Sequence, residues 1–259
     1  SFGTRDGILK EKSDIFKYIG ESGRAIVNGD DDKLRTLRGK LKNVLTYGLN
    51  ADNDIRGENV KDMGLEGMRF DIVYGGGRIT ATIPSPGIHM VMNPLCAAAV
   101  GLTLGIEPEL IKQGIESYAP VEGRMQIIKT QRLTLLDDSF NANPTSMAAA
   151  INIACRASGR TVLILGDMLE LGENSAEYHR DMGKKAVECG ADIMIGKGPL
   201  MKNACEETER AGIETMHFDT SEDIMRALDG CLKDGDTVLV KASHGTNLKD
   251  VAEYIKANF

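Results

Sequence analysis

Residues 161–172 read TVLILGDMLELG, an uninterrupted apolar run that ends in a glycine and a cluster containing acidic residues. A second apolar run, VLV at 238–240, lies near the end of the chain. Strands that are apolar at every position are typical of a mostly parallel sheet covered on both faces. Helical patterns alternate with such strands beyond residue 126, which predicts a Rossmann-like α/β domain. Its predicted strands are 126–129, 133–137, 161–165, 192–195, 215–218 and 237–241, and its predicted helices are 146–157, 175–189, 199–211, 221–231 and 247–257.

The first half of the chain has a different pattern, with several strands in succession. We predict strands at 25–28, 44–47, 55–60, 68–74 and 78–83, and helices at 5–19, 33–38, 90–104 and 108–118. The glycines at 75–77 predict a hairpin, because a strand follows them and they lack the Lys-Ser/Thr of a phosphate-binding loop. The segment 119–124 is the expected linker. The predicted domains are therefore 1–120 and 121–259.

Composition and charge exclude several classes of protein. The chain has 259 residues and a net charge of −7, and its basic residues are dispersed, so a nucleic-acid partner is not expected. The five cysteines form no CxxC pair, which favours a reduced, cytoplasmic protein. Polar residues interrupt the apolar region 89–106, which predicts a buried helix, and no membrane partner is expected. We expect a monomer.

Polar side chains follow two of the predicted strands. Asp138, Asn141 and Asn143 lie after one strand, and Asp167 and Glu170 lie after the next. Ligands of open α/β sheets bind outside the carboxyl ends of the strands, so both clusters predict a ligand-binding cleft. Asp and Asn at these positions are also suited to an Asx turn and a helix cap, and both roles are compatible.

Six motifs, in order along both predicted domains, resemble those of the Mur ligase family. They are KEKSDIF at 10–16, GIHMVMN at 87–93 with alanines at 97 and 98, GRM at 123–125, DSFNANP at 138–144, LGDMLELG at 165–172 with a histidine at 179, and KAS at 241–243. Within the family, the pair NANP and GDMLELG resembles the branch that adds D-alanyl-D-alanine to UDP-N-acetylmuramoyl-tripeptide.

The resemblance implies an ATP- and Mg²⁺-dependent amide ligase of peptidoglycan precursor synthesis. In this family a substrate carboxylate is converted to an acyl phosphate, and the incoming amine then displaces phosphate. The fold it implies is the C-terminal part of the central ATP-binding domain followed by the Rossmann-like domain, which binds the dipeptide.

One element of the family pattern is not found in the sequence. The sequence contains no G-x-x-G-K-[ST] loop. A helical pattern also follows Ser1-Phe2-Gly3 directly. We therefore expect a C-terminal part of a longer ligase, which on its own is inactive.

In the first domain the resemblance assigns roles to Lys12 and Asn93. Lys12 matches the family's carbamylated lysine, whose carbamate oxygens hold Mg²⁺. The alternative is a solvated helical lysine. Asn93 matches the asparagine that contacts the nucleotide, and the alternative is a cap of the apolar helix.

In the second domain the resemblance assigns the nucleotide to Arg124 and Asp138. Arg124 matches the arginine that reaches the ATP phosphates, and the alternative is an exposed linker arginine. Asp138 matches the aspartate that binds the ribose hydroxyls. Asn141 and Asn143 match the asparagines that mark the D-alanyl-D-alanine-adding branch.

The remaining matches concern the peptide substrates. Asp167, Glu170 and His179 resemble a signature expected to shape the dipeptide or acceptor pocket, although Glu170 also suits an ion pair and His179 a packed structural position. Ser243 fits the family's Lys-Gly-Ser turn. The sequence departs from the family at several positions, with Phe140 in place of tyrosine, His244 in place of arginine, Ala242 in place of glycine and Met90 in place of asparagine.

Two other functional classes remain open from the sequence. The chain is also compatible with another amide ligase of the same fold, such as an amino-acid-adding Mur ligase or a folylpolyglutamate synthetase. A non-catalytic nucleotide- or peptide-binding module is the third possibility.

Overall fold

The computed structural model describes residues 4–259, and residues 1–3, which directly precede the first predicted helix, lie outside them. The chain divides into two units between Ala119 and Pro120, one residue before the boundary that the sequence predicts. Each unit contains one sheet of its own.

The first unit is built on a mixed five-stranded sheet with strand order β1-β2-β3-β4-β5. Strands β1 to β3 are parallel, and β3 to β5 are antiparallel. Apolar residues of the sheet and of α2 and α3 form its core. The elements in chain order are α1 (Arg5–Ser13), β1 (Ala25–Asn28), β2 (Val44–Gly48), β3 (Ile55–Asp62), β4 (Met68–Tyr74), β5 (Gly77–Ile83), α2 (Met92–Thr103) and α3 (Pro108–Glu116).

Three helix predictions in this unit need correction. The helix predicted at 5–19 ends at Ser13 and continues as a 3-10 turn, and no residue of α1 is buried. The helix predicted at 33–38 is only a 3-10 turn, Leu34–Leu37. Its start is fixed by the Asp31 carboxylate, which accepts the backbone N–H groups of Lys33 and Leu34, both at 2.9 Å. The helix predicted at 90–104 begins at Met92, after a 3-10 turn.

The second unit is an α/β domain around a six-stranded sheet with strand order β10-β9-β8-β11-β7-β6. All neighbouring strands are parallel except β6, which pairs antiparallel with β7. This confirms the predicted Rossmann-like, mostly parallel fold. Its elements are β6 (Gln126–Lys129), β7 (Thr134–Asp138), α4 (Pro144–Cys155), β8 (Thr161–Gly166), α5 (Ser175–Cys189), β9 (Ile193–Lys197), α6 (Lys202–Arg210), β10 (Glu214–Phe218), α7 (Ser221–Cys231), β11 (Thr237–Lys241) and α8 (Lys249–Asn258).

Helices cover both faces of the second sheet, as the fully apolar strands require. Helices α4, α5 and α6 pack together on one face, and α7 and α8 pack on the other. Side chains alternate along β8, so Val162 and Ile164 belong to the core that contains Ile224 and Val251. The chain leaves β8 and its neighbour β11 on opposite faces, which makes the carboxyl ends of these strands the expected ligand-binding edge.

In the described part of the chain, no helix combines the length and the apolar character that crossing a membrane requires.

Asp71 on β4 holds together an irregular part of the first sheet. The pairing of β3 with β4 shifts register between Glu58 and Lys61, where Asn59 has φ 50°. The Asp71 carboxylate accepts hydrogen bonds from Thr80 Oγ1 (2.6 Å), Asn59 Nδ2 (2.7 Å) and Arg78 Nη1 (2.6 Å). The hydrogen bond from Thr80, then that from Asn59 and the Arg78 charge, lower the pKa of Asp71.

Replacing Asp71 by Asn tests this description through pH. A lowered pKa means that the stabilisation is present above the ordinary value of 3.8 and is lost as pH falls through the folded-state pKa. We expect Asp71→Asn to reduce the free energy of unfolding by about 1.5–3 kcal/mol at pH 7, and by less at pH 3, which lies below the ordinary value. Urea unfolding at both pH values measures this, with Glu66→Gln, an exposed carboxylate, as the control. An equal loss at both pH values would contradict it.

Candidate functional site

The carboxyl ends of β7, β8 and β11 bring most of the predicted site residues of the second unit to one sheet edge. Parallel register places Lys241 of β11 directly beside Asp138 of β7 and Leu165 of β8. The loops that follow these strands carry Asn141, Asp167 and Ser243. We call this edge, with the loops 139–143, 167–172 and 242–247, the rim.

Lys241 is the buried cation at the centre of the rim. Its side chain is 2% exposed, and Nζ donates to Asp138 Oδ2 at 2.5 Å and to the Asn141 carbonyl at 2.9 Å. This ammonium therefore joins the end of β7 to the loop that follows it. The sequence identifies Lys241 only as part of the KAS motif. A charged residue at the end of a fully apolar strand is the one further indication of its role.

Asp138 is mostly buried, and protein groups engage both of its oxygens. Oδ2 accepts from Lys241, and Oδ1 accepts the Met125 N–H at 3.0 Å. Burial raises the pKa of Asp138 above its usual value, although the Lys241 ammonium acts in the opposite direction. Asp138 thus ties the segment before β6 to the rim, and any ribose contact has to share these oxygens.

Ser243 joins three strand ends through its side chain and backbone. Its Oγ accepts the Leu169 N–H at 2.9 Å and lies 3.4 Å from the Ala142 carbonyl, to which it donates. Its backbone N–H donates to the Asp167 carbonyl at 3.1 Å. Ser243 is buried. The structure therefore brings the loops that carry the asparagines and Glu170 together around this residue.

Asp167 is buried and serves the backbone of the next loop. Oδ1 accepts the Met201 N–H at 2.7 Å, and Oδ2 accepts the Leu200 N–H at 3.3 Å, just before α6. Gly198 is required opposite it, since a Cβ there would lie 2.7 Å from the carboxylate and φ is +100°. Asp167 therefore joins the loop after β8 to the loop between β9 and α6.

His179 is fully buried on α5 and holds the 167–172 loop. Its Nε2 accepts the Met168 N–H at 2.8 Å, so the proton lies on Nδ1, which donates to the Ser175 carbonyl at 2.6 Å. Glu170 lies on the same loop, exposed, with a strained φ of 62°. Of these two residues, Glu170 is the one with a side chain accessible to a ligand.

Both asparagines of the rim are exposed, but only one of the two side chains is engaged within the described chain. Asn143 is the N-cap of α4, where Oδ1 accepts the Ser146 N–H at 2.9 Å and Ser146 Oγ accepts the Asn143 N–H at 3.1 Å. Asn141 is exposed, and within residues 4–259 only its backbone carbonyl is engaged, by Lys241. The predicted cap is confirmed for Asn143.

Arg124 lies beside the rim on an exposed segment. Within the described chain its guanidinium has no acidic partner, and its Cζ lies 4.0 Å from the centroid of the Phe140 ring. The Phe140 N–H donates to the Gly123 carbonyl at 2.9 Å, which fastens this segment to the 139–143 loop. An arginine so placed has its N–H donors available for an anion.

Lys197 is a half-buried cation near the rim that the sequence does not single out. Its Nζ donates to Ser221 Oγ at 2.9 Å and to the Thr246 carbonyl. Burial lowers its pKa. From the end of β9, Lys197 supports the 242–247 loop. A single lysine between two glycines at a strand end does not indicate such a role in the sequence.

Lys12 and Asn93 belong to the first unit, which is described by itself. Lys12 is exposed on α1, and its side chain has no hydrogen-bond or ion-pair partner among residues 4–259. Asn93 is exposed in the first turn of α2, whose N-cap is Val91, so the alternative that Asn93 caps this helix is wrong. Asn93 instead borders an apolar cavity of about 380 Å³ between α2, α3 and β5, which is also lined by Met90, Ala97, Ile111 and Tyr118.

The described residues do not by themselves form a divalent-cation site. Among them, no group of three or more His, Cys, Asp or Glu side chains is arranged to hold a metal ion. Lys12, even as a carbamate, lies on a helix without a buried residue. No step of the chemistry below is therefore assigned to a metal.

Comparison with known proteins covers both units. Residues 1–101 match the family described as Mur ligase middle domain, and residues 123–244 match the one described as Mur ligase, glutamate ligase domain. A Bacillus subtilis relative, UDP-N-acetylmuramoyl-tripeptide–D-alanyl-D-alanine ligase, is 32% identical over 97% of this chain and 55% of its own length. The chain thus spans about half the length of the curated relatives it matches.

Solved structures agree with this comparison. A crystal structure of MurF from Acinetobacter baumannii aligns with a TM-score of 0.90 and 27% identity, over 100% of this chain and 57% of that protein. MurF from Thermotoga maritima, solved in complex with ADP, shares the fold with a TM-score of 0.82 and 24% identity, over 99% and 58%.

The buried pair of Lys241 and Asp138 can be tested by removing one or both charges. Lys241→Met leaves the Asp138 carboxylate buried without its cation, so we expect a loss of about 3–5 kcal/mol in the stability of the second unit. The double variant Lys241→Met, Asp138→Asn should recover much of this loss. Hydrogen exchange of β11 amides measures it, with Lys129→Met, an exposed lysine of β6, as the control. A double variant no more stable than Lys241→Met would contradict the pairing.

Proposed function

The chain belongs to the Mur ligase family, and we propose that it acts as part of a longer ATP-dependent ligase that joins D-alanyl-D-alanine to UDP-N-acetylmuramoyl-tripeptide. Relatives that carry this name match both units at about 30% identity, as in Escherichia coli, over 99% of the chain. Their name favours this reaction over those of the other amide ligases of the same fold. The second unit supplies the site for the incoming dipeptide.

The observation that carries this proposal is the position of Arg124 beside the rim. An exposed guanidinium, for which residues 4–259 supply no acidic partner, lies next to a loop that presents the exposed amide of Asn141. A ligase that forms and consumes an acyl phosphate has to stabilise negative charge on phosphoryl oxygens close to the incoming amine. Arg124 provides the cation for that charge.

The rim contains residues that contact the dipeptide and residues that hold the loops in place. Asn141 and Glu170 are exposed, and we assign to them direct contacts with the peptide amide and ammonium groups. Asn143, Asp167, His179 and Ser243 hold the loops that carry those two residues, through the hydrogen bonds described above. A rigid set of loops keeps the attacking amine in line with the acyl carbon, and such positioning lowers the entropic part of the barrier.

We assign nucleotide contacts to residues of each unit separately. In the second unit, Arg124 is assigned to the ATP phosphates and Asp138 to the ribose hydroxyls. In the first unit, taken by itself, Asn93 at the border of its apolar cavity is assigned to nucleotide binding. An apolar cavity with one amide at its edge suits a purine ring. Mg²⁺, which the family implies together with carbamylated Lys12, would also take oxygens of water and of the ATP phosphates as ligands.

The reaction can be tested by phosphate release from the longer ligase. We expect release with ATP, Mg²⁺ and UDP-N-acetylmuramoyl-tripeptide to depend on D-alanyl-D-alanine. L-alanyl-L-alanine and single amino acids are the controls. Release with a single amino acid would indicate a sister ligase instead, and no release under any condition would favour a binding module.

Arg124→Ala should mainly lower kcat in the same assay. Because the guanidinium is assigned to charge that develops during phosphoryl and acyl transfer, we expect a loss of about 100-fold or more in kcat. Arg226→Ala, an exposed arginine on α7, is the matched control. Unchanged kcat and unchanged KM for ATP would remove Arg124 from the mechanism.

A further inference from the structure

Phe140 is a large aromatic residue that the fold leaves 43% exposed at the rim. Its backbone is fixed by the hydrogen bond to Gly123, which is buried with φ +70°. A Cβ at Gly123 would lie 3.2 Å from the Phe140 nitrogen and would be strained at this φ, so glycine is favoured here. The ring is therefore held at a defined place beside Arg124.

The Phe140 ring contacts side chains from two other segments. The Arg124 Cζ lies 4.0 Å from its centroid, and the His244 ring lies 5.7 Å away at an angle of 41°. Phe140 and His244 are two of the positions at which the sequence departs from the family pattern. The structure shows that these two departures are neighbours.

A contact with an aromatic face leaves an arginine ready to bind an anion. The ring meets the plane of the guanidinium, whereas the N–H donors lie within that plane and point outwards. A carboxylate partner would instead occupy these donors and compete with phosphate. The ring also restricts a long side chain that would otherwise adopt many rotamers.

We propose that Phe140 is a positioning residue that orients Arg124 for the phosphoryl oxygens of the substrate. The phosphate role of Arg124 rests on the function proposed above, whereas its orientation by Phe140 does not. The face of the ring, and not a hydroxyl, makes the contact. Phenylalanine therefore suffices at a position where tyrosine is usual in the family.

The orientation is tested on the present chain by NMR of the arginine Nε–Hε groups. The Arg124 signal is assigned from its loss in Arg124→Gln. We expect Phe140→Leu to shift this signal and to reduce its order parameter, because the ring current and the restraint are both lost, while Phe140→Tyr retains them. Tyr178→Leu, which removes an exposed aromatic ring from α5, is the control. An Arg124 signal that is the same in Phe140→Leu and in the wild type would overturn the proposal.

The consequence for catalysis is tested in the longer ligase with a double-mutant cycle. We expect Phe140→Leu to lower kcat by about 2- to 5-fold, the range of an exposed cation–π contact, with the KM for the dipeptide unchanged. Phe140→Tyr should restore kcat, and Phe140→Leu should have no further effect in an Arg124→Gln background.

An equal effect of Phe140→Leu in both backgrounds would show that the ring acts independently of Arg124 and would overturn the positioning role. If the wild-type ligase shows no phosphate release that depends on the dipeptide, the proposed function is refuted. In that case the NMR comparison still decides whether Phe140 orients Arg124.

Discussion

The site depends on one buried ammonium group at the end of β11. Lys241 lies between β7 and β8 in the sheet and satisfies its charge with Asp138 and the Asn141 carbonyl. A buried lysine is tolerated only when such partners are present, because desolvation of an unpaired charge costs several kcal/mol. The loop after β7 is therefore forced to return to the end of β11. Ser243, two residues further, joins the loop after β8 to the same point.

The rim contains two kinds of residue: those whose side chains hold the loops together and those whose side chains are free to contact a ligand. Four side chains accept hydrogen bonds from backbone N–H groups, so replacing them is expected to change the shape of the loops. They are those of Asp167, His179, Asn143 and Ser243. Asn141, Glu170 and Arg124 are exposed, so their polar groups are accessible to a ligand. A motif that marks a family therefore contains both kinds of residue. The ones that hold the loops are as necessary as the ones that touch a substrate.

The sequence was most informative where one physical rule dominated. Apolar strands predicted the parallel second sheet, and the glycines at 75–77 predicted the hairpin between β4 and β5. Helix lengths were harder to predict. The Asp31 carboxylate accepts the Lys33 and Leu34 N–H groups as a cap does, but the segment ends after one 3-10 turn, where Arg38 is extended with ψ 115°. In the site, the pattern of residues indicated the right loops but not the partner of each side chain. The contacts of Lys241 and Lys197 link residues far apart in the chain, which no local pattern encodes.

We propose that the rim of the second unit binds the incoming dipeptide. Titration of the ¹⁵N-labelled chain with D-alanyl-D-alanine, followed by backbone amide shifts, measures this binding. We expect saturable shifts confined to residues 139–143, 167–172 and 242–247, and none with L-alanyl-L-alanine at the same concentration. Shifts that cluster away from the rim, or equal responses to both dipeptides, would contradict it.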